Sequence, residues 1–103
     1  MSFSQIGGAR IGRSVFFAFN ATWPLAKLTV EDAELALSCL TETWIFPRVS
    51  IRTLRKYRGV FFSTGLKVEH SIARYPPFVV FWTFRFAALR RELERRGYTV
   101  SAD

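Results

Sequence analysis

Between Thr43 and Val68 the chain carries six basic residues and no acid: Arg48, Arg52, Arg55, Lys56, Arg58 and Lys67. Placed on a strand and its loop, they would make a positive stripe beside Tyr57, suited to phosphates, acidic peptide or anionic lipid. These six are the candidate residues for binding an anion or a charged partner. Against that stands the ordinary role of charge blocks, which is to solvate a surface. A second basic set, Arg90, Arg91, Arg95 and Arg96, is interleaved with Glu92 and Glu94. That interleaving is expected of a solvated helix face aided by i,i+4 pairs and by cations near the helix C-terminus.

Other chemistry has less to work with. The stretch Gly7-Gly-Ala-Arg-Ile-Gly12-Arg-Ser14 comes close to a phosphate-binding loop but has Arg13 where that loop needs lysine. The mechanism also requires a strand before it and a helix after it, so that backbone N–H groups face the phosphates, and the surrounding sequence predicts neither. A flexible arm is the simpler reading. Asn20-Ala-Thr22 fits a glycosylation acceptor, but no secretion signal accompanies it. The single histidine, His70, shares parity with Leu66 and Val68, which places it near the end of an inward face where an imidazole can bond to backbone. The single cysteine, Cys39, reads as a small apolar filler. Glu31, Asp32 and Glu34 lack the spacing of a calcium loop and read as a solvated turn. With one histidine and one cysteine, the expectation is no catalytic site, no metal set and no cofactor.

A chain of 103 residues fits one domain with one core. Half of it is hydrophobic and 17% is aromatic, more than one interior of this size readily hides, so large apolar side chains should reach the surface. Self-association is one use for them. A formal charge of +7 favours encounter with anionic partners. A lone thiol fits a reducing compartment. The apolar stretch Val15 to Phe19 is shorter than the ~7 to 15 residues of a signal-peptide core. No run approaches the ~20 apolar residues of a membrane span. Together these features predict a cytoplasmic protein without a transmembrane segment.

The elements that must position these residues are mostly short strands. Residues 1–12 read as a flexible N-terminal arm, 13–100 as the domain and 101–103 as a tail. Arg13 to Asn20 predicts a strand that Asn20 to Pro24 breaks, and Leu25 to Glu31 a second with Leu28 and Val30 on one face. Leu35, Leu37 and Cys39 alternate with polar or small residues as in a half-buried strand, although Leu37 and Leu40 are also spaced for a helix. Trp44 to Phe46 precedes Pro47, and then Val49 and Ile51 are expected to face inward. Leu54 and Tyr57 shift that register, which predicts a bulge near Arg52 or Thr53. Gly59 opens Val60 to Phe62, and Ser63 to Gly65 turns into Leu66, Val68, His70 and Ile72. After Pro76 and Pro77 the run Phe78 to Trp82 is a buried strand leading through Thr83, a candidate cap, into a helix over Arg85 to Arg96. Phe86, Leu89 and Leu93 form the apolar stripe of that helix, and Gly97 stops it.

About seven short strands, the last passing straight into a single C-terminal helix, resemble the pleckstrin-homology-like superfold, in particular the small bacterial PH-like domains of unassigned role. The stretches that carry the resemblance are Trp23-Pro-Leu-Ala-Lys-Leu-Thr-Val30, Ile51-Arg-Thr-Leu54, Gly65-Leu-Lys-Val-Glu-His70, and Val79-Val-Phe-Trp82 with the helix ending Arg96-Gly-Tyr98. It covers roughly Arg13 to Val100 and is one of topology and pattern. The resemblance implies a mainly β, partly open barrel capped by the helix, and a noncatalytic domain that binds lipid headgroups, peptides or protein partners. Inositide-binding members cluster basic residues on the first two strands and their loop, whereas Asn20 to Pro24 here carries no charge.

The expectation is therefore a noncatalytic interaction domain for a protein or peptide, its own copy included. The alternative is binding of anionic membrane or nucleic acid through the basic stripe.

Overall fold

The computed structural model describes residues 2–13, 18–59 and 64–101, apart from the side chains of residues 18 and 19. The described chain is mainly β with a single helix. Its strands are β1 (Phe3–Gly12), β2 (Ala18–Val30), β3 (Glu34–Cys39), β4 (Glu42–Pro47), β5 (Ile51–Arg58), β6 (Thr64–His70), β7 (Phe78–Trp82) and β8 (Val100–Ser101), with the helix α1 (Phe86–Arg95) between β7 and β8. All eight strands belong to one sheet in the order β4-β3-β2-β1-β7-β6-β5-β8. The sheet is open. This agrees with the mainly β, partly open architecture that the sequence predicts, with eight strands instead of about seven and with edges, β4 and β8, that do not pair with one another. Among the described residues no helix is long and apolar enough to cross a membrane.

The segment expected to be a loose arm is the middle of the sheet. β1 pairs antiparallel with β2 on one side and β7 on the other, and so joins the two halves of the fold. Its glycines mislead because glycine here answers a close approach rather than a need for freedom: a methyl at Gly7 would fall 2.0 Å from the carbonyl oxygen of Trp82. Ala9 and Ile11 of the same strand lie in the core.

The break expected at Asn20 to Pro24 is a wide bulge inside a continuous strand. Gly7 pairs with Ala26 and Ala9 with Ala21, so Gly8 alone opposes Thr22 to Leu25. The extra residues push Trp23 and Leu25 out of the ladder toward solvent. The predicted first strand from Arg13 overlaps residues 14–17, and the Val60 to Phe62 segment with Ser63 likewise lies outside the described residues.

β3 is a strand with strict alternation, Leu35, Leu37 and Cys39 inward, which settles the choice against a helix. A short 3-10 turn over Arg48–Ser50 follows β4, and it overturns the inward placement of Val49, which is 97% exposed. The bulge predicted near Arg52 or Thr53 is present: Ile51 pairs with His70 and Thr53 with Glu69, leaving Arg52 as the extra residue.

The core forms on one face of the sheet, from Leu28, Val30, Leu35, Leu37 and Phe46 on one half to Leu54, Leu66, Val68 and Phe81 on the other. The halves meet where Phe46 of β4 packs 5.0 Å from His70 of β6 and 5.4 Å from Tyr75, ring centroid to centroid. α1 packs against β6 and β8 and contributes Leu89 and Leu93, both fully buried. Gly97 has φ +89°, and the amides of Gly97 and Tyr98 donate to the carbonyls of Glu94 and Leu93 in a Schellman ending. At the other end the N-cap is Arg85, with no side-chain cap of its own. Thr83 acts two residues earlier. Its hydroxyl accepts from the Arg85 amide at 2.9 Å and donates to Gln5 Oε1 at 2.6 Å, while Gln5 Nε2 donates to the Arg85 carbonyl at 3.0 Å. The helix entry is therefore tied to β1.

Candidate functional site

Alternation along β5 and β6 separates the six basic residues instead of aligning them. Arg55 and Lys67 are cross-strand partners on the outer face of the sheet, with Glu69 beside both. Glu69 stands one residue past the acid-free interval, and its carboxylate lies 3.4 Å from Arg55 Nη2 and 3.7 Å from Lys67 Nζ. The Lys67 ammonium also sits over the rings of Phe78 and Tyr57, at 5.5 and 5.8 Å. The Tyr57 ring in turn lies 5.8 Å from Phe78 and 5.7 Å from Trp82. This outer face is an aromatic cluster roofed by a partly neutralised pair of cations. Arg55 Nε is buried there and has no hydrogen-bond partner among the described residues.

Lys56 has the parity of Leu54 and points to the other face, its ammonium 5.7 Å from the ring of Phe86 on α1. Arg58 is exposed at the end of β5. Arg48 leaves the group entirely. From the 3-10 turn its Nη1 donates to the carbonyls of Asp32 (2.8 Å) and Arg96 (3.0 Å), and its guanidinium stacks on the ring of Tyr98 at 4.2 Å. The Arg96 carbonyl belongs to the C-cap, one of the acceptors a helix end leaves without an internal partner, and a cation is favoured there. The Tyr98 hydroxyl donates to the Glu31 carbonyl at 2.8 Å, so Arg48 and Tyr98 together fasten the β2–β3 turn to the end of α1. Burial pushes the Tyr98 phenol above its ordinary pKa.

Arg52 follows Arg48 in space rather than the rest of the stripe. As the bulged residue it leaves the alternation and turns to a cleft of about 220 Å³ between β5 and the α1–β8 turn, lined also by Arg48, Thr53, Gly97, Tyr98 and Thr99.

The helix arginines are mostly paired. Arg95 and Arg96 both bond to Glu92, at 2.6 and 2.5 Å, Arg90 to Glu94 at 3.3 Å, and Arg96 also to Asp32 at 3.0 Å. The hydrogen bonds from Arg95 and Arg96 hold the Glu92 carboxyl below its ordinary pKa. Arg96 departs from the expected solvated face: its side chain is only 7% exposed.

His70 and Cys39 have structural work. His70 Nδ1 accepts from the Ile72 amide at 3.0 Å, which leaves the proton on Nε2, and Nε2 donates to the Pro76 carbonyl at 2.9 Å. Cys39 is buried in the core, and that burial raises its thiol pKa.

The feature that residue-by-residue reading missed is apolar. At the bulge end of the sheet Trp23, Leu25, Leu40 and Phe84 are all exposed, Phe84 to 85%. The rings of Trp23 and Phe84 meet edge to face at 6.1 Å, although they come from β2 and the β7–α1 turn. Leu40, in the β3–β4 turn, donates its amide to the Leu25 carbonyl at 3.3 Å and is held at φ +56°. That left-handed conformation costs a leucine ~1–2 kcal/mol, where glycine would pay nothing. The only sequence signal for this cluster was the surplus of large apolar residues.

No protein-family model, curated protein or solved structure matches the chain.

Proposed function

We propose that the chain is a noncatalytic interaction domain of the pleckstrin-homology-like kind, working in the bacterial cytoplasm, which binds a protein or peptide partner, a second copy of itself included. The observation that carries this reading is the exposure of Trp23, Leu25, Leu40 and Phe84, joined in pairs by the Trp23–Phe84 ring contact and the backbone bond from Leu40 to Leu25. Aromatic and aliphatic side chains grouped on a surface gain most when a partner removes them from water, and tryptophan is prominent among residues that dominate binding energy. A strained leucine with 60% of its surface in solvent contributes little to the monomer's own core, which favours a use outside it.

The basic stripe supports its alternative reading less well. Lys56 and Arg48 face away from the Arg55–Lys67 pair, and Glu69 offsets that pair, so binding of anionic membrane or nucleic acid through the stripe takes second place.

Native mass spectrometry of the wild type and of Phe84→Ser, each also used as bait in lysate of its own cells, tests the proposal. The wild type should hold a second copy or a distinct partner that Phe84→Ser releases. Identical mass distributions and identical captured proteins would overturn it.

A further inference from the structure

We propose that the cleft between β5 and the α1–β8 turn is a binding site for a compact oxyanion of the phosphate class. This site is separate from the apolar cluster and does not depend on it. Two arginines, Arg48 and Arg52, line the cleft, the Arg48 guanidinium lying against Tyr98, and none of the described lining residues, which include Ile51, Leu54 and the hydroxyl-bearing Thr53 and Thr99, is acidic. The two arginines stand in different relations to the fold. Arg48 is already anchored by its Nη1 bonds and by Tyr98, so it presents a cation whose position is fixed in advance. Arg52 is exposed, and among the described residues it makes no ion pair and no side-chain hydrogen bond.

The bulge explains why that arginine faces the cleft. A regular β5 would keep position 52 in alternation with the strand, whereas the extra residue re-aims it toward the sheet edge, which the two-residue β8 covers only at Leu54 and Arg55. The opposing influences are the Asp32 carboxylate, which is paired with Arg96 at 3.0 Å, and the negative end of α1. The helix end is blunted locally, because the carbonyls of Leu93, Glu94 and Arg96 all accept hydrogen bonds, the last from Arg48 itself. A volume of about 220 Å³ corresponds to roughly seven waters, room for a phosphoryl group and a few attached atoms. Guanidinium forks match phosphate oxygens bidentately, and a doubly charged anion balances two arginines better than a carboxylate does.

Amide and arginine side-chain NMR shifts during titration with inorganic phosphate, at constant ionic strength set with chloride, read the site directly. The expected result is saturable shifts at Arg52, Gly97 and Thr99, and weaker binding of acetate. Arg52→Gln should weaken phosphate about tenfold or more, the loss of a charge-assisted hydrogen bond, while Arg90→Gln, with the same change in charge, should leave it unchanged. Arg52 is the residue to vary because Arg48 also supports the fold. O-phosphoserine binding more tightly than phosphate would assign the source to a phosphorylated side chain, and equal binding would assign it to free phosphate. Shifts spread over the surface without saturation, or equal weakening by the two variants, would overturn the proposal.

Discussion

The guanidinium of Arg48 lies 4.2 Å above the ring of Tyr98, two residues 50 positions apart that meet where the β2–β3 turn, the 3-10 turn and the end of α1 converge. Arg48→Ala removes the stacked cation and both bonds to carbonyls, and should destabilise the fold by about 2 kcal/mol. Arg48→Lys should recover little, because a single ammonium cannot keep the stacked planar fork. Arg52→Ala should stay within about 0.5 kcal/mol. Urea titrations of the three variants check this, and equal losses for Arg48→Ala and Arg52→Ala would show that no such fastening exists.

β1 should tolerate no added side chain at Gly7. The methyl of Gly7→Ala would meet the Trp82 carbonyl and the Phe81 ring, so the strand must move away from β7 or the chain fails to fold. A flexible arm would accept the same change silently. Circular dichroism and thermal melting distinguish the two outcomes.

Helix α1 should be sensitive on one face only. Leu89→Ala leaves a cavity in the core and should cost roughly 2–5 kcal/mol. Arg90→Ala loses one exposed pair with Glu94 and should cost ~0.5 kcal/mol or less. Comparable small losses in denaturant titrations would mean that the helix does not bury the Leu89–Leu93 stripe.

Leu40→Gly relieves a left-handed residue and should leave stability unchanged or raise it by up to ~1 kcal/mol. The same substitution should weaken association, since it removes one of the exposed apolar groups. Melting temperature and native mass measured on one preparation separate the two effects. A variant that melts lower while associating normally would assign Leu40 to the fold instead.

Acid should loosen the end of α1. Bonds from Arg95 and Arg96 keep the folded-state pKa of Glu92 below its unfolded value. The stabilisation from this group is therefore complete above the unfolded pKa and is lost as pH falls through the folded one. Glu92→Gln should flatten that part of the acid limb in melting temperatures recorded against pH, and an unchanged limb would remove Glu92 as its source.

Local pattern was enough wherever one face of an element meets the core. The alternation of Leu35, Leu37 and Cys39, the buried run Phe78 to Trp82, the stripe of Phe86, Leu89 and Leu93, the stop at Gly97 and the bulge at Arg52 all follow from the sequence, because burial repeats with the period of the backbone. Where contacts between distant strands decide, the chain alone misleads. Gly7 and Gly8 look flexible until β7 and β2 close on them, and Asn20 to Pro24 look like a break until β1 pairs on both sides of the bulge. The six basic residues share one acid-free stretch of sequence but not one place in space. Strand alternation sends Lys56 and Arg55 to opposite faces, the 3-10 turn carries Arg48 to Tyr98, and the bulge sends Arg52 to the cleft. Composition alone predicts that large apolar residues must surface. Only the pairing of β2 with β1, and the turn that sets Phe84 against Trp23, decides which ones do and brings them together, since no local period links residues about 60 positions apart.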